Sequence, residues 1–208
     1  MSDTSAMDEL VAGYRAFRRE RWASERERYL ALATDGQKPR TLVIACSDSR
    51  SDPATIFNAS PGSMFVIRNV AAIVPPFESD NSHHGTSAAI AFAVMNLEVR
   101  NILVMSHAQC GGVAAALDNT ISEDIPFLPS WVDLLAPAVA ACPVRGGERH
   151  SAVERESVRL SLKRLMAFPF VARRVDGGLL DLNGAHFGIA DGKLEMLDRA
   201  RDEFVAIE

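Results

Sequence analysis

The chain has 208 residues, 48% of them apolar and 24% charged, with a formal net charge of −5 at pH 7. That length can bury one sizeable core and reads as a single domain over 1–208, and the acidic balance leaves no basic stripe for nucleic acid. No stretch approaches the roughly 20 apolar residues that span a bilayer, the N-terminus shows no secretory pattern, and three cysteines are too few and too odd for a disulfide framework, so a cytoplasmic protein with reduced thiols is expected.

Asp8 to about Thr34 reads as helical, its apolar stripe made of Leu10, Val11, Tyr14, Phe17, Trp22, Tyr29 and Leu30. Residues 1–35 thus form a helical arm. Between Arg15 and Arg28, arginines interleave with Glu20, Glu25 and Glu27, as on a solvated face with local ion pairs. Asp35-Gly36 ends the helix and Pro39 bars its return. Thr41–Ala45, Ser63–Arg68 and Asn101–Met105 are apolar runs of the buried-strand type. Gly85–Leu97, apolar nearly all round, is expected as a buried helix, and Gly111–Leu117 and Ala152–Ala167 as two more. Leu179–Asn183 and His186–Ile189 are strand-like, and Asp191-Gly192 offers a hairpin turn before Lys193–Leu197. The fold class is therefore α/β: a central, largely parallel β-sheet flanked by helices, with an N-terminal helical extension and a C-terminal hairpin.

Open sheets of this kind bind ligands beyond the carboxyl ends of their strands. Cys46-Ser47-Asp48-Ser49-Arg50 follows the first strand, and His107-Ala108-Gln109-Cys110-Gly111-Gly112 follows the third. Two strand ends thereby deliver Cys, His and Cys to one edge. Two thiolates and an imidazole suit zinc and leave its fourth position open. Gly111 and Gly112 let the backbone pass close to the site, and the helix that starts there favours ionised thiols. Either element alone reads more simply as a core cysteine or a chance pair; their joint placement points to metal. Asp48 and Arg50 alternate along the chain, so they can pair, with Asp48 held to orient a metal-bound water; a surface ion pair that stabilises a loop is the plainer alternative. Cys142 reads as structural. His83 and His84 lie in a polar loop, with proton shuttling as the alternative to simple solvation, and His150 and His186 show no ligand spacing.

These residues resemble the β-carbonic anhydrases. The resemblance runs from about Gln37 to the C-terminus, through Cys46-Ser-Asp48-Ser-Arg50, Pro61-Gly62, Phe65-Val-Ile-Arg68-Asn69-Val70-Ala71, Val74-Pro75-Pro76, Gly85-Thr86-Ser87-Ala88-Ala89-Ile90, His107-x-x-Cys110-Gly111-Gly112 and the final hairpin with Gly184, His186 and Asp191-Gly192. It implies one zinc ion per subunit on Cys46, His107 and Cys110, with Asp48 and Arg50 as the catalytic dyad. Gln37, Phe65, Val70, Phe92 and Gly111 would line the substrate pocket, some across a dimer interface. The implied reaction is reversible hydration of carbon dioxide to bicarbonate and a proton by attack of a zinc-bound hydroxide, in a homodimer or dimer of dimers whose N-terminal arm packs the dimer.

In some bacterial members the aspartate moves onto the metal at low pH as a fourth ligand, in a closed form. Such members often carry Trp and Gly where Val43 and Ala45 stand here, so the resemblance leans toward an open Asp48. Ala91, Ser106 and Ala72 replace the Glu, Gly and Asn usual in the family. Two rivals share the site: a hydrolase for carbon disulfide or carbonyl sulfide, and a zinc-binding or bicarbonate-sensing protein without turnover.

Overall fold

A computed structural model describes residues 5–80, 82–118, 120–122 and 124–208. The chain divides into two compact units, one ending at Lys38 and one spanning Pro39–Glu208.

In the first unit the expected single helix is two, α1 (Ala6–Arg19) and α2 (Arg21–Asp35). Ser5 caps α1 by accepting the Asp8 N–H; Asp8 and Glu9 lie in its first turn and Arg18 and Arg19 in its last, matching the helix dipole. The break falls at Glu20, where the backbone leaves ideal helix at φ −103° and ψ −64°. Phe17, Trp22 and Tyr29 gather beside it, with ring centroids 4.9–6.4 Å apart, so residues that share one stripe in the sequence pack on one another. Arg19–Glu20 and Arg21–Glu25 form the ion pairs expected of this charged face.

The second unit is built on six strands: β1 (Thr41–Cys46), β2 (Met64–Asn69), β3 (Asn101–His107), β4 (Asp181–Phe187), β5 (Leu194–Asp198) and β6 (Glu203–Ala206). Their order is β2-β1-β3-β4-β5-β6; the first four are parallel and the last two antiparallel. Leu42, Val43, Ile44 and Ala45 are fully buried, as a strand covered on both faces requires. From β1 the chain goes first to β2 on one side and later to β3 on the other. This reversal opens a crevice at the carboxyl ends of β1 and β3, and those ends are Cys46 and His107.

Helices cover the sheet: α3 (Pro53–Ile56), α4 (Gly85–Ala91), α5 (Gly111–Asp118), α6 (Leu128–Asp133), α7 (Ala136–Ala141), α8 (Arg149–Leu165) and α9 (Pro169–Asp176). Gly85–Leu97 is not buried all round. It runs as α4 and then as a wider π turn over Phe92–Asn96 that buries Ile90, Ala93 and Val94 but leaves Phe92 and Met95 exposed. Its second apolar face is surface.

The two strand-like pieces near the C-terminus are one strand, β4. Gly184 interrupts the apolar pattern because α8 lies against it: a Cβ there would stand 2.6 Å from a Val158 methyl. The expected hairpin joins β4 to β5, and a second hairpin adds β6. Among the described residues no helix is long and apolar enough to cross a membrane.

Candidate metal centre

Cys46 Sγ and Cys110 Sγ stand 4.0 Å apart, and with a nitrogen of His107 all three donor atoms lie within 4.8 Å of one another. Two thiolates on a tetrahedral zinc, with bonds near 2.3 Å, are about 3.8 Å apart. His107 is fully buried, and its Nδ1–H donates to the Ala108 carbonyl at 2.9 Å. That bond makes Nδ1 the donor and leaves Nε2 to face the thiols, where a metal would take it as a lone-pair ligand. Nε2 is a buried nitrogen without a hydrogen-bond partner, an arrangement that costs free energy unless a cation takes it. The donor set therefore fits zinc.

Hydrogen bonding to Cys110 is the main reason the Cys46 thiol is held well below its ordinary value, helped by His107 and by the N–H groups of Asp48 and Ala71, against burial. The same bond, burial and the nearby Cys46 charge push Cys110 up. A shared cation would favour the thiolate form of both. For His107, burial opposes the charged form, but Cys46, the Ala108 carbonyl and Asp48 outweigh it and raise the imidazole.

Asp48 is pinned to Arg50 by three bonds: Oδ1 accepts the Arg50 backbone N–H at 2.9 Å and Nε–H at 3.0 Å, and Oδ2 accepts Nη2–H at 2.7 Å. The guanidinium holds the carboxyl far below the usual carboxylate range. Asp48 stands outside the three-donor group, with Oδ2 4.0 Å from His107 Nε2. Arg68, quoted in the sequence pattern without a role, braces this loop from β2: it donates to the carbonyls of Cys46 (2.9 Å) and Asp48 (2.6 Å) and pairs with Asp52.

After β2, Ala71 and Ala72 take positive φ of 64° and 54°, a conformation costing about 1–2 kcal/mol per residue away from glycine. The turn is held by the Asn69 side chain, which accepts the Ile73 N–H and donates to the Ile73 carbonyl, and it aims the Ala71 N–H at Cys46 Sγ, 3.3 Å away. Gly112 makes room for this turn, since a Cβ there would lie 2.9 Å from Ala71 Cβ and a Val70 methyl. Gly111 is different: a Cβ would meet nothing within 4 Å, so only one of the two glycines serves a close approach.

Of the predicted pocket residues, Phe65 and Phe92 pack together with ring centroids 5.8 Å apart, and Val70 reaches the metal loop through Gly112. Val70 and Phe92 are 37% and 47% exposed; Phe65 pairs with Leu42 on β1, four residues before the level of Cys46, so the Phe65–Phe92 pair lies back along the sheet from the donors rather than at their edge. Gln37 is exposed and belongs to the first unit. A further hollow of about 380 Å³ lies between Asn69, Val70, Phe127 and Trp131, whose indole N–H donates to the Val70 carbonyl.

Cys142 is buried in the apolar cluster beside both ligand cysteines. His84 is half-buried and held by Asp80 and Ser82, with Glu78 at 3.5 Å, rather than simply solvated. The residues that sequence spacing missed are His150, Glu154 and His186, which meet behind Cys110.

The family described as carbonic anhydrase matches residues 41–194. Beta carbonic anhydrase 5, chloroplastic, of Arabidopsis thaliana is 34% identical over 200 residues, covering 93% of this chain. The chain spans 65% of that relative's length. The solved structure of the β-carbonic anhydrase CcaA is similar with a TM-score of 0.89 at 32% identity, covering 97% of this chain and 92% of that one. One of two tetrameric β-carbonic anhydrases from Sordaria macrospora gives a TM-score of 0.71 at 29% identity, covering 93% and 94%.

Proposed function

The chain belongs to the β-carbonic anhydrase family, and from that premise we propose that it catalyses the zinc-dependent, reversible hydration of carbon dioxide to bicarbonate and a proton. The observation that carries the proposal is the buried, unpartnered Nε2 of His107 facing two thiols 4.0 Å apart, with an ionised Asp48 at its side. Cys46, His107 and Cys110 would hold one zinc ion per subunit. Bound there, zinc would supply the Lewis acid that makes water a nucleophile near neutral pH.

The chain's own residues do the rest. Arg50 keeps Asp48 ionised and fixes its orientation, so the carboxylate accepts a hydrogen bond from the attacking water and aims its lone pair. Asp48 in this pairing is the open form of the site. On the strength of the resemblance Phe65, Val70 and Phe92, some of them across a dimer interface, offer an apolar wall to a neutral linear substrate, beside Gly111. A homodimer, or a dimer of dimers as in the tetrameric relatives, is part of the proposal. Supporting it are the exposed Phe92 and Met95, and Leu10, Tyr14 and Leu30 left exposed on the helical arm. A reducing, cytoplasmic setting is supported by three cysteines that are all free.

Stopped-flow hydration of carbon dioxide on zinc-loaded protein tests the proposal. Turnover far above buffer, rising from about pH 6.5 to 9 because two thiolates make a bound water less acidic than imidazoles do, is expected. No turnover, with sulfide released from carbon disulfide or carbonyl sulfide instead, would overturn it.

A further inference from the structure

Behind the third metal ligand, the main chain of Cys110 is gripped from both sides by side chains that never reach the metal donors. Its N–H donates to Glu154 Oε1 at 3.0 Å, and its carbonyl accepts the Nε2–H of His150 at 3.1 Å. His150 and Glu154 lie one turn apart on α8, so one helix face presents an acceptor and a donor matched to one peptide unit on each side of one residue. Glu154 is 1% exposed, and a carboxylate that buried needs partners. Its Oε1 has His150 Nε2 at 3.4 Å besides the Cys110 N–H, and its Oε2 accepts the Nε2–H of His186 at 3.0 Å. His186, on β4, turns its other nitrogen to Glu195 at 3.4 Å, and Glu195 is in turn held by Arg155. Gly184, two residues before His186, lets α8 come near enough for these bonds to close.

We propose that His150, Glu154 and His186 form a clamp that positions Cys110, fixing where its sulfur points and so how firmly the metal is held. They are positioning residues: they touch the ligand's backbone, not the metal or the substrate. The inference rests on the zinc reading of the site. Cys110 opens the turn into α5 and has no strand to hold it, whereas His107 is the last residue of β3. Without the clamp Cys110 keeps the Ala114 N–H on its carbonyl and the N–H groups of Gly112 and Val113 at its sulfur, but loses both side-chain anchors on its main chain. Groups behind metal ligands are typically worth about 10–100-fold in metal affinity.

The test follows zinc transfer from the loaded protein to a chelator, together with the thiolate-to-metal absorption of the cobalt-substituted protein, in wild type, Glu154→Ala, Glu154→Gln and His150→Ala. Glu154→Ala is expected to release zinc about 10–100-fold faster and to shift the cobalt bands. Glu154→Gln, whose amide oxygen still accepts the Cys110 N–H, should recover most of the loss. His150→Ala, at a half-buried position where the truncation leaves less unpaired, should release zinc a few-fold faster, on the order of the lost hydrogen bond. Glu154→Ala leaves buried partners unpaired and can fail to fold, and His150→Ala then carries the test.

Wild-type release and spectrum in every variant that folds would overturn the clamp. Glu154→Gln as leaky as Glu154→Ala would do so too. A wild-type protein that takes up no zinc at all would instead sink the metal reading beneath it, so the two failures are distinguishable.

Discussion

Cys46 and Cys110 bring their sulfurs to within 4.0 Å of each other, yet the loops that carry them are held by different means. Around Cys46 the partners are close in sequence or on the adjoining strand: Asp48 and Arg50 pair two residues apart, and Arg68 and Ala71 come from β2 and the turn after it. Most of these contacts set charge, placing N–H groups against the sulfur and a guanidinium against Asp48. Around Cys110 the N–H groups of Gly112 and Val113 also reach the sulfur, but the side-chain partners are 40 and 44 residues away, on α8, and they set position, holding a main-chain unit rather than the sulfur. Both thiols meet local N–H groups, and both main chains are gripped by side chains, but the grip on the first loop comes from the adjoining strand and that on the second from a distant helix.

The largest expected effects remove a sulfur. Cys46→Ala or Cys110→Ala should abolish stoichiometric zinc, read as metal per chain after gel filtration; a variant that keeps one zinc would show that the two loops do not act on one ion. Next comes the brace on the first loop. Arg68→Ala removes the guanidinium from the Cys46 carbonyl, from Asp52 and from the Asp48 carbonyl, which keeps Ser51 as a donor, and should cost about 1–3 kcal/mol in urea unfolding. An unchanged midpoint would mean the loop is held by its own local bonds, among them Asp48–Arg50 and Ser51 to the Asp48 carbonyl, without the brace.

Smaller effects separate the adjacent glycines where the loops meet. Gly112→Ala forces a methyl against Ala71 and Val70 and should destabilise by about 1–2 kcal/mol, while Gly111→Ala should stay within about 0.5 kcal/mol. Equal costs would erase the distinction. Smallest is a pH effect on metal-free protein. Asp48 has a depressed folded value, so the stability it adds is fully present above the unfolded carboxyl value of about 3.9 and is lost as pH falls through the folded one. The gap in urea midpoint between wild type and Asp48→Asn should therefore be level from about pH 5 to 8 and narrow below about pH 4. A gap that changed around neutrality would place the ionisation elsewhere.

The same contrast explains what could be read from the chain. The three strands that set the crevice were legible as apolar runs, and Cys46, Asp48, Arg50, His107 and Cys110 were legible because their spacing is local and they sit at strand ends. Gly184 hid the continuity of β4, because a glycine demanded by α8 looks like a gap in the pattern. The helical arm hid its break at Glu20, because residues that pack across a kink fall on the same periodic stripe as residues along one face. The clamp was invisible to motif spacing. Glu154 nevertheless left a signal: with Val158, Ser161 and Leu165 it falls at helical intervals on the buried face of α8, a charge where periodicity calls for core. Such a residue has partners to find.

In the proposed reaction three side chains would hold zinc while Asp48, kept ionised by Arg50, makes the site turn over. Stopped-flow carbon dioxide hydration at about pH 8.5, on wild type and Asp48→Ala with zinc measured in both, tests it most directly. One zinc per chain is expected in each, with turnover in the variant lower by roughly 10²-fold or more. Equal turnover in two equally loaded proteins would contradict it.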